Sequence, residues 1–355
     1  VQFLLIIFLF LASNSANPQT YPSADQVGVF ALENTSQAQD LGVGWTRIPL
    51  TWVGFEKNKE GFNKRLKNLK NVKVIITFRA MHPTKVRIPV WAKAYLVKHP
   101  NAGRSASCPP KNIEEYKKFI REAVRMCKDK VAAWQIENEI YLSNQFWVED
   151  KKWSVQEFIP VFIAAAQVIR EEDPGKPILA PGIAFINAEF NSNGTIARFT
   201  GLRASKLDQK RGYQIWSNNI KSVFTEARSY FDVIDVHLYD DIESYSGKVM
   251  WVKMMMQETN CNKQIWATEM SGPKLKSLSE VNQAFYEAQA RELPLRLQAA
   301  FDAGVEKVFY FLYRDGTNNP KDIIYTTCGL VSKNGEKKPA YQALQKFMER
   351  PFFIL

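Results

Sequence analysis

The chain is 355 residues long, 46% apolar and 23% charged, with a formal net charge of +11. Those proportions belong to an ordinary globular protein; with no low-complexity tract, clear internal repeat or Gly/Ser- or Pro-rich linker, they argue against a disordered chain or a repeat array. One domain with a large core is expected rather than two.

The first residues stand apart. Phe3 to Ala12 form an apolar run too short to cross a bilayer but suited to the central region of a secretory leader. Ser13 and Ser15 supply the small residues that precede cleavage, which assigns residues 1–15 to a leader and starts the mature chain near Ala16. An initiating methionine and a basic flank are missing, as in a leader shortened at its start; a buried N-terminal strand is the alternative. The expected location is therefore secreted, extracellular or periplasmic. No later stretch is apolar enough for a membrane span, so stable membrane insertion is not expected. With no recognisable binding motif in an exported chain, neither is a nucleic-acid partner.

From residue 27 onward, β-branched and aromatic runs alternate with helical stretches. VGVFAL (27–32) and GWTRIPL (44–50) come first, followed by the basic segment EKNKEGFNKRLKNLKNVK. That segment reads as a solvated helix face, with attraction to anionic polysaccharide or an acidic cell surface as the sharper alternative. After VKVIITF (72–78), the stretch NIEEYKKFIREAVRMCKD places Ile113, Tyr116, Phe119, Ile120, Ala123 and Val124 on one helix face. VAAWQIENE (131–139) is the fourth strand run. The next helix is expected to start at a Ser154 N-cap, with Glu157 at the capping-box position, and to stop at a Pro-Gly break. PILAPGI (177–183), FDVIDVHLY (231–239) and QIWATEM (264–270) follow, then a helix closing at Gly304, then KVFYFLY (307–313).

Eight strand runs, nearly continuous in apolar residues, suit parallel strands covered on both faces. They predict an α/β fold, a (β/α)8 barrel of one domain over residues 16–355, with a doubly wound sheet as the lesser alternative. No GxGxxG or GxxxxGK[ST] turn supports a nucleotide-binding version. The four cysteines match no zinc spacing. In a barrel Cys108 and Cys328 fall in loops at the carboxyl ends of strands, and Cys127 and Cys261 near the opposite ends. Only Cys108 and Cys328 are then within reach of a disulfide, and free thiols are the equal alternative. No metal or cofactor is expected.

Barrel active sites are built from residues at the carboxyl ends of the strands. There the sequence offers Arg47 on strand 2, Asn138 and Glu139 on strand 4, His237 and Tyr239 on strand 6, and Glu269 on strand 7. Strands 4 and 7 face each other across the mouth, so two carboxyl groups about 5 Å apart, as a retaining glycosidase requires, are within reach. A nearby arginine lowers the pKa of one carboxylate, while desolvation and the like charge raise that of the other; Arg47 is the candidate cation.

On these residues the chain resembles clan A of the glycoside hydrolases, retaining (β/α)8 enzymes. The resemblance rests on TRIPLTW in strand 2, the NE of QIENE in strand 4, DVHLYD in strand 6 and WATEM in strand 7. The stretch from WQIENE to QFW is similar to β-xylosidase-type and cellulase-type members, and the resemblance extends to GLVSKNGEKKPAYQAL near the end. It implies Glu139 as acid/base, Glu269 as nucleophile, Asn138 on a sugar 2-hydroxyl, Tyr239 bonded to the nucleophile, His237 lining the site and Arg47 supporting Glu269. The tryptophan that many members carry on strand 8 falls by count on Tyr310, and either Arg79 or His82 takes a sugar-contacting position on strand 3. The implied activity is hydrolysis of β-glycosidic bonds in oligo- or polysaccharides, acidic ones included given the basic surface. An inactive carbohydrate-binding barrel and a transglycosylase are the alternatives.

Trp147, Trp153, Trp216 and Trp251 are placed in loops near the mouth as sugar-stacking or loop-anchoring residues, with Trp147 taken as the substrate contact. Asn34 and Asn193 head glycosylation sequons. Glu137, two residues before Glu139, is expected one layer deeper as a support, paired with Arg47 or Arg79.

Overall fold

The computed structural model describes residues 22–98, 106–141, 145–149, 155–185, 188–199, 209–239, 241–273, 278–316 and 326–349. Eight parallel strands run β1 (Val27–Phe30), β2 (Trp45–Thr51), β3 (Lys73–Arg79), β4 (Val131–Ile136), β5, β6 (Val233–Leu238), β7 (Gln264–Met270) and β8 (Lys307–Tyr310). β5 comes in two pieces, Ile178–Leu179 and Ile183–Ala184, both paired with β6. Pairing of Val27 with Val308 and Gly28 with Phe309 closes the ring, so the expected single-domain barrel is the one observed. Residues 1–15, expected to be a leader, lie outside the described residues, as do Trp153 and Ser154.

The helices, in chain order, are α1 (Thr35–Leu41), α2 (Trp52–Lys57), α3 (Lys59–Lys67), α4 (Val90–Lys98), α5 (Ile113–Cys127), α6 (Ile159–Glu172), α7 (Gln209–Glu226), α8 (Tyr245–Glu258), α9 (Gln283–Asp302) and α10 (Pro339–Met348). Local chemistry sets several ends. Asn34 and Asn112 accept backbone N–H bonds at the starts of α1 and α5, and Gly42 ends α1 in the left-handed region at φ 71°. Asn34 thus spends its side chain on a cap, whereas Asn193 is exposed in a hairpin turn between residues 188 and 199. The capping box expected at Ser154 is not what starts α6. That helix begins at Ile159 behind Phe158 with no side-chain cap. Glu157 instead accepts from the Glu149 N–H and pairs with Arg87, bracing the loop after β4.

The barrel interior is layered. Trp45, Ile75, Ala133, Leu179, Val233, Trp266 and Phe309, from seven strands, form an apolar floor. β1 contributes Gly28 there, where a Cβ would sit 2.4 Å from the Phe309 ring. Two residues further along β2, β3, β4 and β6 the layer turns polar, with Arg47, Thr77, Gln135 and Asp235 all buried. Ring closure is reinforced outside by acids of the first βα unit and bases of the last: Asp25 with Lys307, Glu33 with Arg314 and Asp40 with Lys337.

All four cysteines are buried free thiols, so Cys108 and Cys328 are not joined. The basic segment forms α2, α3 and the turn after them. Most of its charges are solvent-exposed, and ion pairs engage Glu56 with Lys85, Lys59 with Glu122 and Lys73 with Asp25. No helix among the described residues is long and apolar enough to cross a membrane.

Candidate active site

Local backbone irregularities aim the two glutamates. β4 ends at Ile136, and the next turn holds Glu137 at φ 65° and Glu139 at φ 44°. Both are in the left-handed region, which breaks strand alternation and lifts Asn138 and Glu139 to the mouth. In β7 the register against β6 shifts between Trp266 and Glu269, bringing Glu269 level with His237. Bulges of this kind re-aim side chains at barrel rims.

Arg47, only 2% exposed, organises the centre. It donates to Glu269 Oε1 at 2.6 Å, Asn138 Oδ1 at 2.6 Å, Gln135 Oε1 at 2.7 Å and Thr77 Oγ1 at 2.9 Å. Tyr239 donates its hydroxyl to the other oxygen of Glu269. Burial first, then the charges of Glu269 and Glu139, keep the proton on that phenol well above the usual range. His237 Nδ1 lies 2.7 Å from Glu139 Oε1 and 3.4 Å from Glu269 Oε2, and its Nε2 is 3.2 Å from Asp235 Oδ2. Burial alone would strip the imidazole of its proton, but Glu269 and Asp235, with hydrogen bonds to Asp235 and Glu139, raise its pKa to about 10. In turn burial would raise Asp235, yet the His237 charge and the bonds to it hold that carboxyl below the usual range.

One oxygen each of Glu139 and Glu269 lies within 4.8 Å of the other and of a His237 nitrogen. Such a trio could in principle ligate a divalent cation. Here His237 Nδ1 lies against Glu139 Oε1 with its pKa raised, and Arg47 and Tyr239 donate to Glu269, so these groups already have partners within the protein.

The structure thus brings together Arg47, Asn138, Glu139, His237, Tyr239 and Glu269. It corrects other expectations. Tyr310 is no sugar platform: Phe309 points into the barrel, so its neighbour Tyr310 points out, fully buried, donating to Cys328 O and accepting from Gln289 of α9. Phe311 stands at the mouth instead, 6.0 Å from the Tyr239 ring and 4.8 Å from that of Phe30. The period-2 alternation from Phe309 was the signal for it. Trp147 is buried edge-on against Trp91, while Trp216 and Trp251 stack at 4.8 Å beside Phe185; all three act as anchors. Arg79 meets Glu137, Ser107 and Gln145, and His82 meets Glu56.

Glu137 pairs with Arg79 at 2.9 Å, but not from beneath Glu139. It is fully buried at the end of β3, accepting from Ser107 Oγ and the Ala80 N–H. Gln135, Thr77 and Asp235, none of them singled out from sequence, take the layer below. Asp235 was legible as the first of three residues, with His237 and Tyr239, at strand spacing.

The fold is one that solved glycoside hydrolases share. Among solved structures, the chain is similar to a family 39 glycoside hydrolase from the gut symbiont Bacteroides cellulosilyticus WH2, with TM-score 0.60, 14% identity and coverage of 92% of this chain and 63% of that one. It is similar also to a GH39 β-xylosidase from Caulobacter crescentus (TM-score 0.57, 16% identity, 92% and 72% covered). A third is a GH5_18 protein from Streptomyces cattleya in complex with Manb1-4GlcNAc (TM-score 0.61, 12% identity, 93% and 82% covered). The chain therefore spans just under two thirds of the length of the first of these. No family model matches the sequence, and no curated protein matches it.

Proposed function

We propose that the protein is a retaining β-glycoside hydrolase with Glu269 as nucleophile and Glu139 as acid/base. The observation that carries this reading is that one oxygen of Glu139 and one of Glu269 lie within 4.8 Å of each other at the barrel mouth. Retaining enzymes hold their carboxyl groups about 5–5.5 Å apart and inverting ones about 6.5–9.5 Å, so an approach this close favours the retaining reading. In the first step Glu269 bonds to the anomeric carbon as the glycosidic C–O bond breaks, and Glu139 gives its proton to the leaving oxygen. In the second, Glu139 takes a proton from water, whose oxygen bonds to the anomeric carbon and releases Glu269. Arg47 and Tyr239 hold both oxygens of the nucleophile in place, and Asn138, tied to Arg47, faces the sugar beside the reacting bond.

The substrate class is an oligo- or polysaccharide, and the apolar run of residues 3–12 supports an exported protein. The test is a panel of activated aryl β-glycosides, with product configuration followed by NMR. Glu269→Ala is expected to abolish turnover, and azide to restore it as an α-glycosyl azide. Hydrolysis that survives the substitution, or product of inverted configuration, overturns the reading.

A further inference from the structure

Asp235 takes part in no step of that reaction, yet it is fully buried and fully engaged. It accepts from Gln135 Nε2 at 2.6 Å, from the Thr268 N–H at 2.9 Å and from Thr268 Oγ1 at 2.6 Å, and faces His237 Nε2. Against the same Nε2 end of the imidazole lies Gly182, in the gap between the two pieces of β5. A Cβ there would sit 2.2 Å from His237 Nε2, so this close approach requires glycine. The Nε2 end of the ring is therefore enclosed by a carboxylate fixed by three other donors and by a bare backbone.

We infer that Asp235 and Gly182 are positioning residues that hold His237 as a fixed, positively charged donor to Glu139 throughout the reaction. The inference rests on the glycosidase reading above. Its first support is charge balance. Before reaction Glu139 carries a proton, so ionised Glu269 and Asp235 face Arg47 and His237. In the glycosyl-enzyme Glu269 is an ester and Glu139 has given up its proton, so Glu139 and Asp235 face the same two cations. A neutral imidazole would leave both states with an uncompensated negative charge in a buried site, which is costly. The charged groups around the ring are Glu139 from β4, Glu269 from β7, and Asp235 and Tyr239 from its own strand, with Arg47 of β2 next to Asp235.

The second support is direction. With Nδ1–H donating to Oε1 of Glu139, the exchangeable proton of Glu139 resides on Oε2, free for the leaving oxygen. A neutral imidazole protonated at Nε2 would instead offer a lone pair at Nδ1 and draw that proton away from the substrate.

The chain has three histidines, so imidazole 15N NMR with His237→Gln for assignment reads the charge directly. Wild-type His237 is expected to stay doubly protonated past pH 8. In Asp235→Asn the midpoint is expected to fall toward the ordinary value of about 6.5. In parallel, kcat/KM is measured on aryl glycosides with poor and with good leaving groups. General acid catalysis supplies about 10²–10⁴-fold. Asp235→Asn is therefore expected to lose about 100-fold on the poor leaving group and less than about 5-fold on dinitrophenyl glycosides, which need no acid. Gly182→Ala, which keeps Asp235 but displaces the ring, should show the same split and guards against a folding defect in the first variant. Equal losses on both leaving groups, or an imidazole that keeps its charge in Asp235→Asn, overturn the inference. If the wild type cleaves no glycoside, the functional reading fails, and the NMR titration still decides whether Asp235 holds the imidazolium.

Discussion

Removing Glu137 should cost stability rather than chemistry, and the structure sets the size of the effect. Glu137→Ala deletes the acceptor of three buried or half-buried donors: the Ala80 N–H, Ser107 Oγ at 2.6 Å and Arg79 Nε at 2.9 Å. Arg79 retains the Gln145 carbonyl and side-chain oxygens, each at 3.1 Å, so its charge is not stripped of every partner. Breaking a buried pair from one side typically costs about 3–5 kcal/mol. For a chain of 355 residues the unfolding entropy is about 0.75 kcal/mol/K, so the melting temperature should fall by about 4–7 °C. The assay is thermal unfolding by circular dichroism, run beside Glu139→Ala. The latter leaves the contacts of Glu137 intact and should lose activity without a fall of that size. A Glu137→Ala protein that melts within about 1 °C of wild type would refute the assignment of this carboxylate as a clamp between β3 and the turn after β4.

Tyr239→Phe removes one hydrogen bond to a charged oxygen of Glu269, worth about 1.5–3 kcal/mol. Steady-state kinetics should show kcat/KM lower by about 10–100-fold, with little change in melting temperature. His237 has a folded pKa raised from 6.5 to about 10, so the stability it contributes is fully present below pH 6.5 and lost as pH rises toward 10. Melting profiles across that window should slope downward for wild type and be flatter for His237→Gln. Trp251→Leu opens the stack with Trp216 and should destabilise by about 2–4 kcal/mol. If Trp251 is an anchor, kcat/KM of the folded variant stays within a few-fold of wild type; a large rise in KM alone would return it to the substrate.

Much of the site was legible because strand order and strand ends can be read from sequence. Asn138, Glu139, His237, Tyr239 and Glu269 sit at or just past the ends of strand runs, while Arg47 is the third residue of β2 and reaches the site from within the barrel. The errors arose where the backbone departs from regular alternation. Glu137 and Glu139 share parity on paper, but left-handed conformations at both separate them, one toward the end of β3 and one to the mouth. Counting selected Tyr310 where alternation from Phe309 selects Phe311. Glu269 reaches the level of His237 through a register shift that its sequence does not announce. Gly182 has meaning only through the ring that lies against it. The broken β5, with only two short ladder segments, is what allows that approach.

The seam between β1 and β8 bears on how the protein reaches its working state. Arg47 and Glu269 are 222 residues apart in the chain, and the flanking ion pairs join residues 25–40 to residues 307–337. Such distant pairings carry the largest loop-closure cost and form late in folding. Helices and neighbouring strands can assemble from local contacts well before the ring shuts. Until β8 docks, β7 is an edge strand, and Glu269 is carried on the unfinished rim of an open sheet. During refolding, recovery of hydrolysis should therefore lag behind recovery of helical circular dichroism, making the Arg47–Glu269 pair a chemical marker of the final closure event.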